Sequence, residues 1–228
     1  TIGASDTSGK DFSYSRECAF MEIMNKTIKK GMTCIDLGAN IGYATMIMLR
    51  NSGETGYVYA IEPDEHNMKY LSLNINENGY YDKSKCEITR YIVSDYDGKS
   101  SFWLANQPNF KGGYDYFKEN RGETHILLEI HPSEYTEGND FSKILKKYFD
   151  IGFKTSYIIS TPRPQPQLFS ELGYEPDRVV NTDGFSRGLY MGIKNEDAIK
   201  ITCRENLEPW GNGYTKKIAR SMMISRVE

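Results

Sequence analysis

The stretch CIDLGANIGYAT, Cys34 to Thr45, constrains the chain more than any other. A short, partly β-branched apolar run ends at an acid, and two glycines four apart follow before a helical pattern begins at Tyr43. Glycines at a strand-to-helix turn let the backbone pass close to a ligand and take φ values closed to other residues. The helix N-terminus beyond them offers unpaired N–H groups. Glu62 ends the next apolar run, YVYAIE, 20 residues after Gly42. In a βαβ unit that spacing puts a carboxylate beside the same crevice, where it can accept hydrogen bonds from both ribose hydroxyls.

Elements of the same kind recur along the chain. TCIDL reads as a strand, Tyr43 to Arg50 as a helix and Tyr57 to Glu62 as a second strand. Pro63 and Asp64 open a helix whose Met68, Leu71 and Ile75 share a face, and Gly79 closes it. Before these, Tyr14 to Lys30 carries Cys18, Met21, Met24 and Ile28 at helical spacing. A third strand is expected at Glu87 to Val93, another at HILLEI (125–130), then a helix capped by Asp140 with Phe141, Ile144, Leu145 and Tyr148 on one side. FKTSYIIS alternates as a strand, and GLYMGI (188–193) is read as the last one. Between them Pro162, Pro164 and Pro166 stiffen a connection read as a lid, a specificity loop or a plain surface loop. Strands alternating with helices predict an α/β fold, a Rossmann-like, doubly wound, mostly parallel sheet with a final antiparallel strand. Residues 1–12 read as a flexible arm. Residues 13–228 read as one domain with a C-terminal extension over about 195–228.

Bulk properties narrow the partners. A net charge of −3 and a pI near 5.8 lack the basic excess of nucleic-acid-binding domains. Cys18, Cys34, Cys86 and Cys203 are scattered without a CxxC pair, so free thiols in a reducing cytoplasm are expected. No apolar run is long enough to span a bilayer and the polar opening is unlike a signal sequence, so a soluble cytoplasmic protein without a membrane partner is expected. The sequence opens at Thr1 rather than methionine, and further residues are expected before it.

The identity of the nucleoside turns on one position. A dinucleotide fingerprint is GxGxxG, whose middle glycine admits a pyrophosphate. Here the pattern is GxNxG: Asn40 crowds a pyrophosphate and adds an amide able to reach an amino acid's carboxylate or amine. That favours S-adenosylmethionine, which has a methionine tail and no phosphate. IDLGANIGYATMIML, VYAIEPDEHNMKYLSLNINENG, YIVSDYDGKSSFWL and HILLEIHP together resemble the FkbM-like family of S-adenosylmethionine-dependent methyltransferases over about residues 33–132. The resemblance implies a class I methyltransferase sheet and methyl transfer to hydroxyl oxygens, often of sugars or polyketides. It implies that Asp36, Gly38, Ala39, Asn40 and Gly42, with Tyr43 beside them, line the methionine and ribose portions. Glu62 would hold the ribose hydroxyls, Pro63 and Asp64 would flank the adenine, and Val93 and Ser94 would meet its edge.

One family block is missing. The acidic DVEG-like segment of a fourth strand has no counterpart, and only 29 residues separate Ser94 from Thr124. A parallel crossover alone takes about a dozen. A deleted central strand would expose two long edges, so a stretch of the natural protein missing from this chain between about Ala105 and Gly113 is the favoured expectation.

Methyl transfer to oxygen also needs a base. Glu129 and His131 are two apart at a strand's C-terminal end, where open α/β sheets bind ligands, and a histidine can take a proton near neutral pH. His125 sits at the wrong end, and His66 at a helix start is expected in solvent. No ligand spacing points to a metal, and SDYDGK reads as a turn. Lys216, Lys217, Arg220 and Arg226 are read as a solvated helix face, and Asn25-Lys-Thr27 is given no role. The reading is an O-methyltransferase acting on a small-molecule acceptor, with a sugar among the candidates. Its rivals are a nicotinamide-dependent oxidoreductase and a catalytically inactive adenosyl-cofactor-binding scaffold.

Overall fold

The computed structural model describes residues 18–80, 85–91, 111–119, 122–130, 141–160, 163–182, 185–203, 208–210, 214–216 and 219–227. They pack as two compact units, one through residues 21–91 and one through 111–227 together with 18–20.

The first unit begins within α1 (Cys18–Thr27) and continues through β1 (Thr33–Leu37), α2 (Tyr43–Ser52), β2 (Tyr57–Ile61), α3 (Glu65–Glu77) and β3 (Cys86–Thr89). β2 lies between β1 and β3 and runs parallel to both, with Asp36 opposite Ala60 and Ala60 opposite Ile88. Leu49, Val58, Ala60, Leu71, Ile75 and Cys86 are buried together, so α2 and α3 press on one face of this sheet. The alternate residues point the other way, and Ile35, Leu37 and Tyr59 are exposed. α3 starts where expected: the Asp64 side chain accepts the Asn67 N–H at 2.9 Å, which caps the helix.

The second unit holds α4 (Lys111–Glu119), β4 (Thr124–Glu129), α5 (Phe141–Asp150), β5 (Lys154–Ser160), α6 (Gln167–Glu171), β6 (Arg178–Thr182), β7 (Phe185–Met191), α7 (Asn195–Thr202), β8 (Glu208–Trp210), β9 (Tyr214–Lys216) and β10 (Ala219–Arg226). Its five-stranded sheet has the order β4-β10-β5-β7-β6, with every neighbouring pair antiparallel. β8 and β9 form a separate hairpin.

The fold class is therefore α/β with a three-stranded parallel sheet and a five-stranded antiparallel one, which corrects the expectation of a mostly parallel sheet. GLYMGI falls largely in β7 and is not the last strand. The segment expected to be a solvated helix face forms β9 and β10, and β10 sits between β4 and β5. The physical reason is burial on both faces: Met222, Met223 and Ile224 are consecutive and all buried, so β10 lacks the alternation of a half-exposed strand. Arg226 is buried too; its guanidinium lies 4.9 Å from the centre of the Phe153 ring and donates to the Phe117 carbonyl at 2.8 Å. In the proline-rich connection Pro164 is pinned: its carbonyl accepts from the Tyr190 hydroxyl at 2.7 Å and from the Ser160 hydroxyl at 3.2 Å.

β3 ends before Val93, and Val93, Ser94 and residues 105–110 lie outside the described residues. Among the described residues no strand stands between β3 and β4, and none of the helices is long and apolar enough to cross a membrane.

Candidate functional site

The bend after β1 is built by residues that tolerate left-handed backbone. Gly38, Asn40 and Gly42 have φ of 77°, 51° and 95°. Asparagine is among the few residues with a side chain that enter this region readily. Gly42 answers two demands, since a Cβ there would also stand 2.6 Å from Leu71 Cδ1 of α3.

This bend is laced to the end of β2. The N–H groups of Gly38 and Ala39 both donate to the Ile61 carbonyl, at 2.9 and 3.0 Å. The next N–H, from Asn40, donates to Glu62 Oε2 at 2.7 Å. Glu62 Oε1 accepts from the Asp64 N–H at 2.9 Å and from Asn67 Nδ2 at 3.4 Å. Glycine bend and carboxylate thus meet in one place, and Glu62 is buried there. An ionised carboxylate offers about four acceptor positions, so three protein donors leave capacity for a ligand. On the outer side of the bend, a Cβ built on Gly38 would find nothing within 4 Å. These features fit a ligand with hydroxyl donors, such as a nucleoside: remaining acceptor capacity at Glu62 and room over Gly38 among the described residues.

Asp36 lies beneath the bend, buried, with Oδ2 accepting from the Thr45 hydroxyl at 2.5 Å. Gly42 caps α2 without a side chain, so the Asp36 carboxylate supplies the acceptor and negative charge that a helix N-terminus attracts. Burial pushes the Asp36 carboxyl above the usual carboxylate range. Hydrogen bonds from Thr45 pull it back, and the charge of Glu62 adds to the rise.

No family model and no curated protein sequence matches the chain. Solved structures do align with it. A SAM-dependent O-methyltransferase from Thermotoga maritima is 17% identical with a TM-score of 0.47, covering 97% of this chain and 69% of its own. An rRNA methylase from Streptococcus thermophilus is 10% identical with a TM-score of 0.44, covering 95% of this chain and 99% of its own. A SAM-dependent methyltransferase from Aquifex aeolicus is 16% identical with a TM-score of 0.35, covering 78% and 93%.

The remaining candidates divide by location. Asp36, Gly38, Ala39, Asn40, Gly42, Glu62, Pro63 and Asp64 come together in the first unit. The Tyr43 hydroxyl donates to the sulfur of Met21 on α1. Glu129 ends β4 in the second unit, exposed and opposite Ser221, while His131 lies outside the described residues. His125 bonds Ser225 Oγ through Nδ1 at 2.8 Å and Glu123 through Nε2 at 3.2 Å, and His66 packs edge-on to Tyr70. No group of three or more metal-ligating side chains occurs among the described residues.

Residues unread in the sequence also reach this site. Thr45 is one. Arg90 Nε donates to the Pro63 carbonyl at 3.1 Å while its NH1 pairs with Glu65 at 3.1 Å. Asn74 Nδ2 donates to the Ile41 carbonyl at 2.7 Å. The available signal was an asparagine beside the apolar stripe of α3, where the next turn turns Leu71 and Ile75 inward.

Proposed function

We propose that this protein binds S-adenosylmethionine and transfers its methyl group to a hydroxyl oxygen of a small polar acceptor, a carbohydrate being the leading class, in the cytoplasm. The observation that carries the reading is the 2.7 Å bond between the Asn40 N–H and Glu62, which makes the glycine bend and the ribose-type carboxylate parts of one site. Charge supports the same ligand. Asp36 and Glu62 are both buried carboxylates, and Arg90, the cation bonded at the neighbouring turn, is engaged by Pro63 and Glu65. Two carboxyl groups whose neighbouring cation is already engaged oppose a pyrophosphate and suit a ligand bearing an ammonium, a sulfonium and ribose hydroxyls.

When bound, the cofactor supplies a methyl group on a sulfonium that is already activated for displacement. Glu62 would hold the ribose hydroxyls. Asp36, Gly38, Ala39, Asn40, Gly42 and Tyr43 would border the methionine and ribose portions, with the Asn40 amide facing the amino-acid end. Pro63, Asp64, Val93 and Ser94 would serve the adenine. Glu129 and His131 are the proposed acceptors of the proton that the substrate hydroxyl gives up, with His131 the better base near neutral pH.

Titration calorimetry with S-adenosylhomocysteine and NADH tests the reading. The expected result is saturable S-adenosylhomocysteine binding, no NADH binding, and a Kd raised about 10- to 100-fold by Glu62→Ala, the range for losing charge-assisted hydrogen bonds. NADH binding in place of S-adenosylhomocysteine would overturn it. A scaffold without catalysis draws on the absence of a strand between β3 and β4 among the described residues. Transfer of labelled methyl to any member of a panel of hydroxylated acceptors would exclude it.

A further inference from the structure

The N–H groups of Gly38, Ala39 and Asn40 in the bend at 38–42 reach across to the end of β2, and its last turn closes on itself. Gly42 N–H donates to the Ala39 carbonyl at 2.8 Å, and the Gly42 carbonyl accepts from Met46 at 2.9 Å. The Ile41 carbonyl instead takes its hydrogen bond from Asn74, 33 positions along the chain and on another element. Asn67, Leu71 and Asn74 stand at i, i+4 and i+7, one face of α3. Each meets a different part of the site. Asn67 Nδ2 approaches Glu62 Oε1 at 3.4 Å, Leu71 fills the space a Gly42 side chain would need, and Asn74 holds Ile41.

From this we infer that Asn74 is a positioning residue for the nucleoside site: by fixing the Ile41 carbonyl it holds the bend in the conformation that aims the Asn40 N–H at Glu62. The Ile41 carbonyl and the Gly42 N–H belong to one planar peptide, and that N–H donates to the Ala39 carbonyl, whose own peptide carries the Asn40 N–H; turning the Ile41–Gly42 peptide over would release the Ala39 carbonyl and free the Ala39–Asn40 peptide to rotate in a loop held at positive φ. Rotation there moves Asn40 away from the carboxylate and leaves both groups to find water. Asn74 is not among the residues proposed to border the ligand, and its role is exerted through the bend. The ligand part of this inference rests on the proposed function, whereas the ordering of the bend does not.

Amide hydrogen exchange on the ligand-free protein tests the ordering directly. Asn74→Asp keeps the shape of the side chain but replaces the donor with an acceptor, and Asn74→Ala removes it. Lys69→Ala, on the exposed side of α3, is the control. Both Asn74 variants are expected to speed exchange at the Asn40 amide about tenfold or more, the equivalent of one net hydrogen bond, with Val58 and Ala60 in β2 nearly unchanged. The Kd for S-adenosylhomocysteine, which carries the amino-acid tail, should rise more than that for adenosine, which does not. Unchanged protection at Asn40 would overturn the inference whatever the protein binds. So would equal acceleration at Asn40 and through β2, which would mark general loosening. If the wild type fails to bind S-adenosylhomocysteine while Asn40 loses protection in the variants, the proposed function falls and the positioning role stands.

Discussion

Asp36 carries opposed demands within a single side chain. Its carboxylate completes the start of α2 through Thr45, yet burial favours the neutral form, and burial has the larger effect. A carboxyl raised on folding contributes stability that is fully present below its unfolded pKa and lost as pH rises through the folded one. Asp36→Asn keeps an acceptor for Thr45 without a charge to bury. It should therefore melt above the wild type at pH values above the raised pKa, with the gap closing as pH falls through it and Asp36 takes up its proton. Identical dependence of Tm on pH in the two proteins would refute this assignment. Position 40 separates backbone from side chain in a similar way. Asn40→Ala should cost about 1 kcal/mol in denaturant unfolding because alanine resists φ of 51°, while Asn40→Gly should not. At this scale the legible residues were those whose type is forced by conformation or chemistry, namely Gly38, Asn40, Gly42 and Glu62. Asn74 and Thr45 were illegible, since a polar residue on a helix reads as solvated until its partner on another element is known.

Among the elements, α3 braces the bend that α2 springs from. Gly42→Ala combines a backbone conformation alanine resists with a collision against Leu71, so it should cost about 2–4 kcal/mol in chemical denaturation. A Leu71→Ala background opens the space for that methyl, and the double mutant should lose less than the sum of the two single changes. Strict additivity would show that the two side chains do not compete for one volume. Strand and helix positions in the first unit were readable because periodicity and punctuation agree: TCIDL, YVYAI and the Asp64 cap each carry their own signal. β10 lacked one. The charge cluster of Lys216, Lys217, Arg220 and Arg226 drew the reading toward a solvated face, and the apolar residues of β10 are contiguous because both sides are covered. β6 was hidden by the prolines before it, which drew the reading toward a loop.

At the scale of the molecule, the described residues place a parallel three-stranded sheet in one unit and an antiparallel five-stranded sheet in the other. Alternation of strands and helices announced the first, but antiparallel pairing in the second depends on partners far apart in sequence. His125 lies beside Ser225, and Ile159 beside both Ser221 and Leu189. Pairings of that range leave no local trace in the residues that make them. β10 touches β4 on one side and β5 on the other, so among the described residues it is the strand that joins β4 to the β5-β7-β6 group by backbone hydrogen bonds. A newly made polypeptide emerges from the ribosome in order, and β10 emerges after the other four strands of its sheet. Until it does, β4 and β5 each wait with an unmatched row of N–H and C=O groups, the condition that invites aggregation and the attention of chaperones. Among the five strands of this sheet, the latest in chain order is thus the one on which assembly is timed.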